Sequence, residues 1–308
     1  METCVEIKGL NQIYKRRGSK FAALDSVNLS IGKGMFGLLG PNGAGKTTMM
    51  KILATLQKPT SGSASVYGYD LFKNRKQIRK LLGYLPQEFG VFSNLNAFEF
   101  LDYIAGLNGL KNRRERRNEV ERILHLANLE DVKDRYVKTF SGGMVRRLGI
   151  AQALIGSPKL LIVDEPTSGL DPEERIRFRN LLSEISSDIT IILSTHIVND
   201  ISSTCNDLAI LNLGKIVYNG SPAAFMEKAR GKTWILKTTE DKLDSLRDDI
   251  SIISMIVQHD HLEVRIVADQ INGLPAEPVE PNLEDAYLYF MEVLTGVKLH
   301  EDEQLINA

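Results

Sequence analysis

Apolar and polar positions along the chain fall into strand-like and helix-like stretches. From Cys4 to Ile31 they alternate or run in short apolar segments, VEIKGL, FAAL and VNLSI, broken by the polar KRRGSK, which predicts antiparallel strands joined by a charged turn. The apolar MFGLLG leads into GPNGAGKTT and then TTMMKILATL, so a buried strand, a glycine-rich loop and a helix are expected in that order. PTSGS is a turn cluster. Between about Gln87 and Pro158 the spacing becomes helical, through FEFLDYIAGL, RRERRNEVERILHLANL and, after a serine-glycine break, MVRRLGIAQALIG, which predicts a helical insertion. Strands return at KLLIVDE and ITIILSTH with a helix through RIRFRNLLSEI between them, the alternation of a parallel sheet. LAILNLGKIVYNGS reads as a closing hairpin with Gly214 at its turn.

After Gly231 the character changes. WILKTT, the charged helical stretch EDKLDSLRDDI, ISMIVQ and LEVRIVAD suggest a small strand-and-helix unit. PAEPVEP is expected to be a stiff linker, since proline fixes φ and removes an amide donor. NLEDAYLYFMEVLTG then sets Leu283, Ala286, Tyr287, Phe290 and Leu294 on one helical face.

The 308 residues allow one large domain or two, and 43% apolar with 25% charged residues is an ordinary globular composition. Lys+Arg 38 against Asp+Glu 39 leaves a formal charge of −1, which argues against nucleic acid as the main partner. Cys4 and Cys205 are too few to staple a secreted fold, so a reducing cytoplasmic setting with two inert core thiols is expected. The first residues, METCVEIKGL, carry no signal-peptide pattern, and no apolar run approaches a membrane span, so the chain is expected to be soluble, with any membrane role borrowed from a partner.

Gly40-Pro41-Asn42-Gly43-Ala44-Gly45-Lys46-Thr47 fits G-x-x-x-x-G-K-[ST] and sits between a predicted strand and helix, as that motif requires. Its glycines let successive amides turn toward one point, and the helix N-terminus adds a positive dipole, so a polyphosphate can exchange its water shell for the loop. Lys46 would reach the β- and γ-phosphates, Thr47 could give its hydroxyl to Mg²⁺, and Thr48 joins the set of phosphate contacts. Lys159 to Glu165 reads as a buried strand ending in two acids, a costly arrangement unless a cation is near. Mg²⁺ supplies that charge, with Asp164 holding the metal shell and Glu165 orienting the attacking water. Ser141-Gly142-Gly143 opens an apolar helix near Met144; it is either a capped helix or a second anion-binding terminus that faces the first across a dimer.

This order of motifs resembles the ATP-binding subunit of ABC transporters, over roughly Cys4 to Gly231. The resemblance implies a P-loop NTPase fold of the α/β class: a RecA-like core, an antiparallel β-subdomain and a helical subdomain at about 88–158. A small C-terminal α/β accessory domain would occupy about 232–308. It also implies ATP and Mg²⁺ as ligands, with two copies arranged head to tail. Each ATP would lie between one copy's Lys46 loop and the other's Ser141 helix. Tyr14 would stack on adenine, although it could simply be a strand residue. Gln87 would touch metal and catalytic water and relay nucleotide state to the membrane subunit. Ser168-Gly169-Leu170-Asp171 would cross the dimer interface, and His196 would contact the γ-phosphate. Phe140 and Met144 replace the family's usual leucine and glutamine around the serine-glycine-glycine core. That variant, with PNLEDAYLYF near the end, resembles the exporter branch that moves drugs, bacteriocins or polysaccharides. The expected setting is the inner face of the cell membrane, beside an integral-membrane permease and without nucleic acid.

Three rival readings lack their marks. A chromosome or repair ATPase needs a long coiled coil or zinc-binding cysteines, a translation-type ATPase needs two phosphate loops, and a non-catalytic sensor would lack Lys46 or Glu165. His259-Asp260-His261 is expected in a polar hairpin turn, and His125 and His300 on solvated helices. Arg113, Arg114, Arg116 and Arg117, interleaved with Glu115, Glu119 and Glu121, read as an exposed salt-bridged face.

Overall fold

A computed structural model describes residues 3–16, 19–239, 243, 251–271 and 275–296. The chain forms two compact units, Met1–Asn219 and Gly220–Ala308. The first begins with β1 (Val5–Arg16) and β2 (Ser19–Ile31), an antiparallel pair whose inward positions are buried and outward positions exposed. The tip of their turn, residues 17–18, lies outside the described residues. β3 (Met35–Leu39) is buried at every position and runs through the glycine loop into α1 (Lys46–Leu53). β4 (Ser61–Val66) and β5 (Tyr69–Asp70) complete a four-stranded sheet in the order β2-β1-β4-β5.

α2 (Arg75–Leu81) leads to β6 (Leu82–Leu85), and the helical insertion follows as α3 (Ala97–Leu107), α4 (Arg113–Leu126) and α5 (Gly142–Leu154). Asn96, Asn112 and Ser141 each cap the next helix with a side-chain oxygen, and of these the Ser141 cap is the one expected from sequence. β7 (Leu160–Asp164), α6 (Pro172–Ile185), β8 (Thr190–Thr195), α7 (Val198–Ser202), β9 (Asp207–Asn212) and β10 (Lys215–Gly220) finish a six-stranded sheet, ordered β10-β9-β3-β8-β7-β6. Within it β9 pairs with β3, β3 with β8, β8 with β7 and β7 with β6, all parallel. Leu213 and Gly214, both at positive φ (47° and 78°), make the two-residue turn of the β9-β10 hairpin. α1 lies in the main core: Met49, Met50, Ile52 and Leu53 share one buried cluster with Leu10, Leu24 and Val27 of the antiparallel sheet and Ile162, Ile192 and Ala209 of the parallel one. The phosphate-loop helix is therefore gripped from two sheets.

In the second unit, α8 (Pro222–Met226) precedes β11 (Thr233–Thr238), β12 (Ser251–Val257), β13 (Leu262–Val267), β14 (Ala276–Pro278) and α9 (Leu283–Thr295). The sheet is antiparallel in the order β12-β13-β11-β14, with Leu236, Leu243, Val264 and Ile266 in its core. Phe225 of α8 meets Phe290 of α9 edge to face at 5.3 Å between centroids. The expected proline linker is an edge strand instead: Ala276, Glu277 and Pro278 pair with Leu236, Ile235 and Trp234. An edge strand needs only half of its backbone groups for the sheet, so proline's missing amide is tolerated there. His259, Asp260 and His261 do occupy the β12-β13 turn, and the His261 ring lies 2.6 Å from Asp260. The expected helical stretch at 240–250, apart from the buried Leu243, and His300 lie outside the described residues.

Among the described residues the ion pairs of the arginine-rich α4 differ from the expected ones: of Arg113, Arg114, Arg116 and Arg117, Arg116 alone pairs with an acid, and that acid lies on the neighbouring helix. Arg122 binds Glu119 and Lys133 binds Glu121, while Arg116 reaches Asp102 on α3 at 2.7 Å. His125 is exposed and pairs with Glu130. Both cysteines are buried, and burial pushes the Cys205 thiol up to about 12.

Candidate nucleotide site

Two glycines of the loop from Gly40 to Gly45 leave no room for a side chain, and Gly43 stands at a positive φ of 78°. A Cβ on Gly40 would lie 2.2 Å from the Leu211 carbonyl oxygen. Gly45, at φ 108°, would drive a Cβ to 2.2 Å from the Ala23 carbonyl. Gly45 is also the N-cap of α1, and no side chain caps that terminus. The first amides of the helix therefore point outward without an intrahelical partner, as an anion requires.

Lys46 is 4% exposed, and its ammonium is fully engaged. It donates to the carbonyls of Gly40 (2.8 Å) and Pro41 (3.1 Å) and pairs with Glu165 Oε1 at 3.0 Å. Glu165 follows the last residue of β7 at φ 45°, a left-handed conformation that a non-glycine residue holds only when its surroundings fix it. β8 supplies that fixing, because the Glu165 amide donates to the Ser194 carbonyl at 3.0 Å. The other carboxylate oxygen, Oε2, accepts from Gln87 Nε2 at 3.3 Å and faces His196 Nδ1 at 3.2 Å. Lys46, Gln87 and His196 thus converge on the Glu165 carboxylate from three separate segments.

Asp164, at the end of β7, has no exposed surface. Burial holds its carboxyl above the usual range, opposed by hydrogen bonds from Ser194 and Thr47. Ser194 Oγ donates to Oδ1 at 2.5 Å, whereas Oδ2 is buried with no hydrogen-bond partner. An orphaned carboxylate oxygen beside the Thr47 hydroxyl is a donor set of hard oxygens that fits Mg²⁺. Tyr84 on β6 was not singled out by sequence. Its hydroxyl is also a buried orphan, and burial together with the Asp164 charge raises its pKa.

Lys46, Gln87, Glu165 and His196 line a cleft of about 600 Å³ that also takes in Tyr14, Phe21, Ala23, Asn42, Gly43, Gly45, Thr47, Thr48 and Ser168. Tyr14 donates to Gln57 (3.0 Å) and lies opposite Phe21 in the β1-β2 register. Both rings are exposed, at 39% and 56%. Phe21 escaped the sequence reading; the available signal was its position directly across the hairpin from Tyr14, where side chains share a face. Gly40, Pro41 and Ala44 belong to the same loop without lining the cleft, and the fully buried Asp164 lies behind Thr47 rather than in the lining.

Ser141, Gly142, Gly143 and Asp171 are absent from the cleft lining. Ser141 caps α5 by accepting from the Met144 amide at 3.2 Å, and Asp171 caps α6 by accepting from Glu174 at 2.9 Å. Gly143 is buried against Glu174, whose Oε2 lies where a Cβ would be. These helix starts therefore lie outside the lining of the chain's own cleft.

A family model described as "ABC transporter" matches residues 24–168. The chain is 36% identical to the bacitracin transport ATP-binding protein BcrA of Bacillus licheniformis, covering 96% of this chain and 99% of that one. It is 35% identical to the probable multidrug ABC transporter ATP-binding protein YbhF of Escherichia coli, over 75% of this chain and 40% of that one. It is likewise 36% identical to ABC transporter A family member 8 of Dictyostelium discoideum, over 80% of this chain and 30% of the relative. The chain thus spans well under half the length of those last two relatives. Among solved structures, the dimeric post-hydrolysis state of the ATP-binding cassette MJ0796 bound to ADP and Pi superposes with a TM-score of 0.64 at 27% identity, covering 70% of this chain and 98% of that one.

Proposed function

The chain belongs to the ABC transporter family, and from that premise we propose that it binds and hydrolyses ATP to power a separate membrane-spanning export subunit. The convergence of Lys46, Gln87, Glu165 and His196 behind an uncapped, glycine-preceded helix start carries this reading. The loop amides and α1 hold the phosphates, and Tyr14 stacks on the base. Lys46 leaves Glu165 for the phosphate charge, which frees that carboxylate. Glu165 takes a proton from water as the water oxygen bonds to the γ-phosphorus, and the bond to the bridging oxygen breaks to leave ADP and phosphate. His196 and Gln87 orient the γ-phosphate and the water. Mg²⁺, when bound, withdraws charge from the phosphate oxygens; Thr47, Asp164 and Gln87 are the residues that would hold it.

The working form is a head-to-tail homodimer in which Ser141, Gly142, Gly143 and Asp171 of one copy complete the cleft of the other. Two features support this: those residues lie outside the chain's own cleft, and solved relatives are described as dimeric. Among the described residues no helix is long and apolar enough to cross a membrane, so the spanning path belongs to a permease. The chain then sits peripherally on the cytoplasmic face. Residues 1–231 act as the ATPase domain and 232–308 as an accessory domain. Purified Glu165→Gln should bind ATP, hydrolyse it at least about 100-fold more slowly, and accumulate as a dimer in size-exclusion chromatography with ATP. Normal turnover would remove Glu165 from the mechanism, and failure to co-purify with any membrane protein would remove the permease.

A further inference from the structure

Asp200, on α7, is a buried carboxylate that the mechanism above does not use. It is 2% exposed, and two threonine hydroxyls converge on its Oδ2 oxygen: Thr167 Oγ1 at 2.5 Å and Thr195 Oγ1 at 3.2 Å. Both threonines are buried, at 2% and 1%. Thr195 in turn accepts from the Ile197 amide at 2.9 Å. His196 is therefore bracketed, with the residue before it bonded to Asp200 and the residue after it bonded to that same threonine. Thr167 stands two residues beyond Glu165, in the segment that leads to Ser168 and Asp171. A second anchor fixes α7 itself, since Thr204 Oγ1 donates to the Asp200 carbonyl at 2.6 Å.

We infer that Asp200 is a positioning residue that sets the spacing between Glu165 and His196 by tying the two loops that carry them to one buried carboxylate oxygen. Glu165 sits at positive φ, and His196 Nδ1 lies 3.2 Å from its Oε2. The Glu165 amide is tied to Ser194 at the strand end, and Asp200 adds the tie beyond it, touching Thr167 in the segment after Glu165 and Thr195, the residue before His196. Neither hydroxyl has a route to water, so removing their shared acceptor leaves two buried donors unmatched and gives both loops reason to move. A carboxylate suits the position because one oxygen accepts two hydrogen bonds at once. The inference rests on the proposed roles of Glu165 and His196 only for its effect on turnover; the geometric tie stands apart from them.

The test uses the full chain. Asp200→Ala should lower the ATPase kcat about 10- to 100-fold, as sub-ångström to ångström misplacement of reacting groups does. Affinity for ATP should stay within about twofold, since the phosphate loop is untouched. Asp200→Asn, which keeps an acceptor oxygen at the same place, should restore most of kcat. Thr167→Val added to Asp200→Ala should cost nothing more, because the two act as one unit. The His196 ring signal, followed by NMR of isotope-labelled histidine among only five histidines, should move in Asp200→Ala and return in Asp200→Asn. That signal decides the matter even if the wild-type chain proves inert toward ATP, an outcome that would sink the ATPase reading alone. Should Asp200→Ala fail to fold, Thr167→Val must by itself reduce kcat at unchanged ATP affinity. The proposal is overturned by unchanged kcat and an unmoved His196 signal in a folded Asp200→Ala or Thr167→Val chain. A loss of ATP affinity in step with kcat, or an Asn variant no better than the Ala variant, overturns it equally.

Discussion

Replacing Lys46 by methionine in the nucleotide-free protein probes the site without any assumption about turnover. The side chains of Lys46 and Glu165 are 3% and 7% exposed and 3.0 Å apart, so the substitution strands a buried carboxylate close to a second one, Asp164. Breaking a buried pair by removing one partner costs about 3–5 kcal/mol. Glu165 keeps its contacts to Gln87 and His196, which places the effect at the lower end, about 3 kcal/mol. For a unit the size of Met1–Asn219 each kcal/mol moves the midpoint by about 2–4 °C, so the fall should be about 6–12 °C. Differential scanning fluorimetry or calorimetry of the full chain reads the first transition. Lys46→Met with Glu165→Gln removes both charges and should recover most of the loss, because no unpaired ion remains. ATP at 100 times its Kd should stabilise the wild type by about 2.7 kcal/mol and leave the Lys46 variant unmoved. A single variant melting within about 2 °C of wild type, or a double variant as unstable as the single, would refute the coupling of these two charges.

Three further outcomes follow from the same geometry. Asp164 has a carboxyl pKa raised by burial, so its ionised form opposes folding above that folded-state pKa, and the penalty fades as pH falls toward the unfolded value. Asp164→Asn should accordingly raise the nucleotide-free midpoint at neutral pH and lose that advantage as the buffer approaches pH ~4; a gain independent of pH would contradict the burial argument. Phe21→Ala and Tyr14→Ala should each weaken ATP binding by about 1–3 kcal/mol, the usual scale for one base-aromatic contact, with Tyr14→Phe near wild type in a fluorescent-nucleotide titration; equal affinity in all three would detach the hairpin from the base. Gly45→Ala forces a Cβ against the Ala23 carbonyl at a residue with φ 108°, so nucleotide affinity should drop sharply and thermal stability by more than about 1 kcal/mol. Unchanged binding there would mean the loop has room that its geometry denies.

The residue order alone determined the local parts. A glycine run between an apolar strand and a helix, two acids closing the strand before Pro166, and a serine at a helix start are short-range patterns with short-range causes, and the loop, the β7 end and the cap of α5 stand where those patterns place them. Tertiary structure decided which parts meet. Gln87, Glu165 and His196 lie on segments brought side by side by the order β8-β7-β6, and strand order depends on how whole sheets bury their faces, which no window of sequence encodes. The same reason hid Phe21, whose role comes from register across a hairpin, and Asp200, an unremarkable acid in a five-residue helix until burial and two threonines gave it partners. PAEPVEP looked like a linker because proline's local cost is visible in a sequence, whereas the free edge of β11 that accepts it is visible only once the sheet has formed.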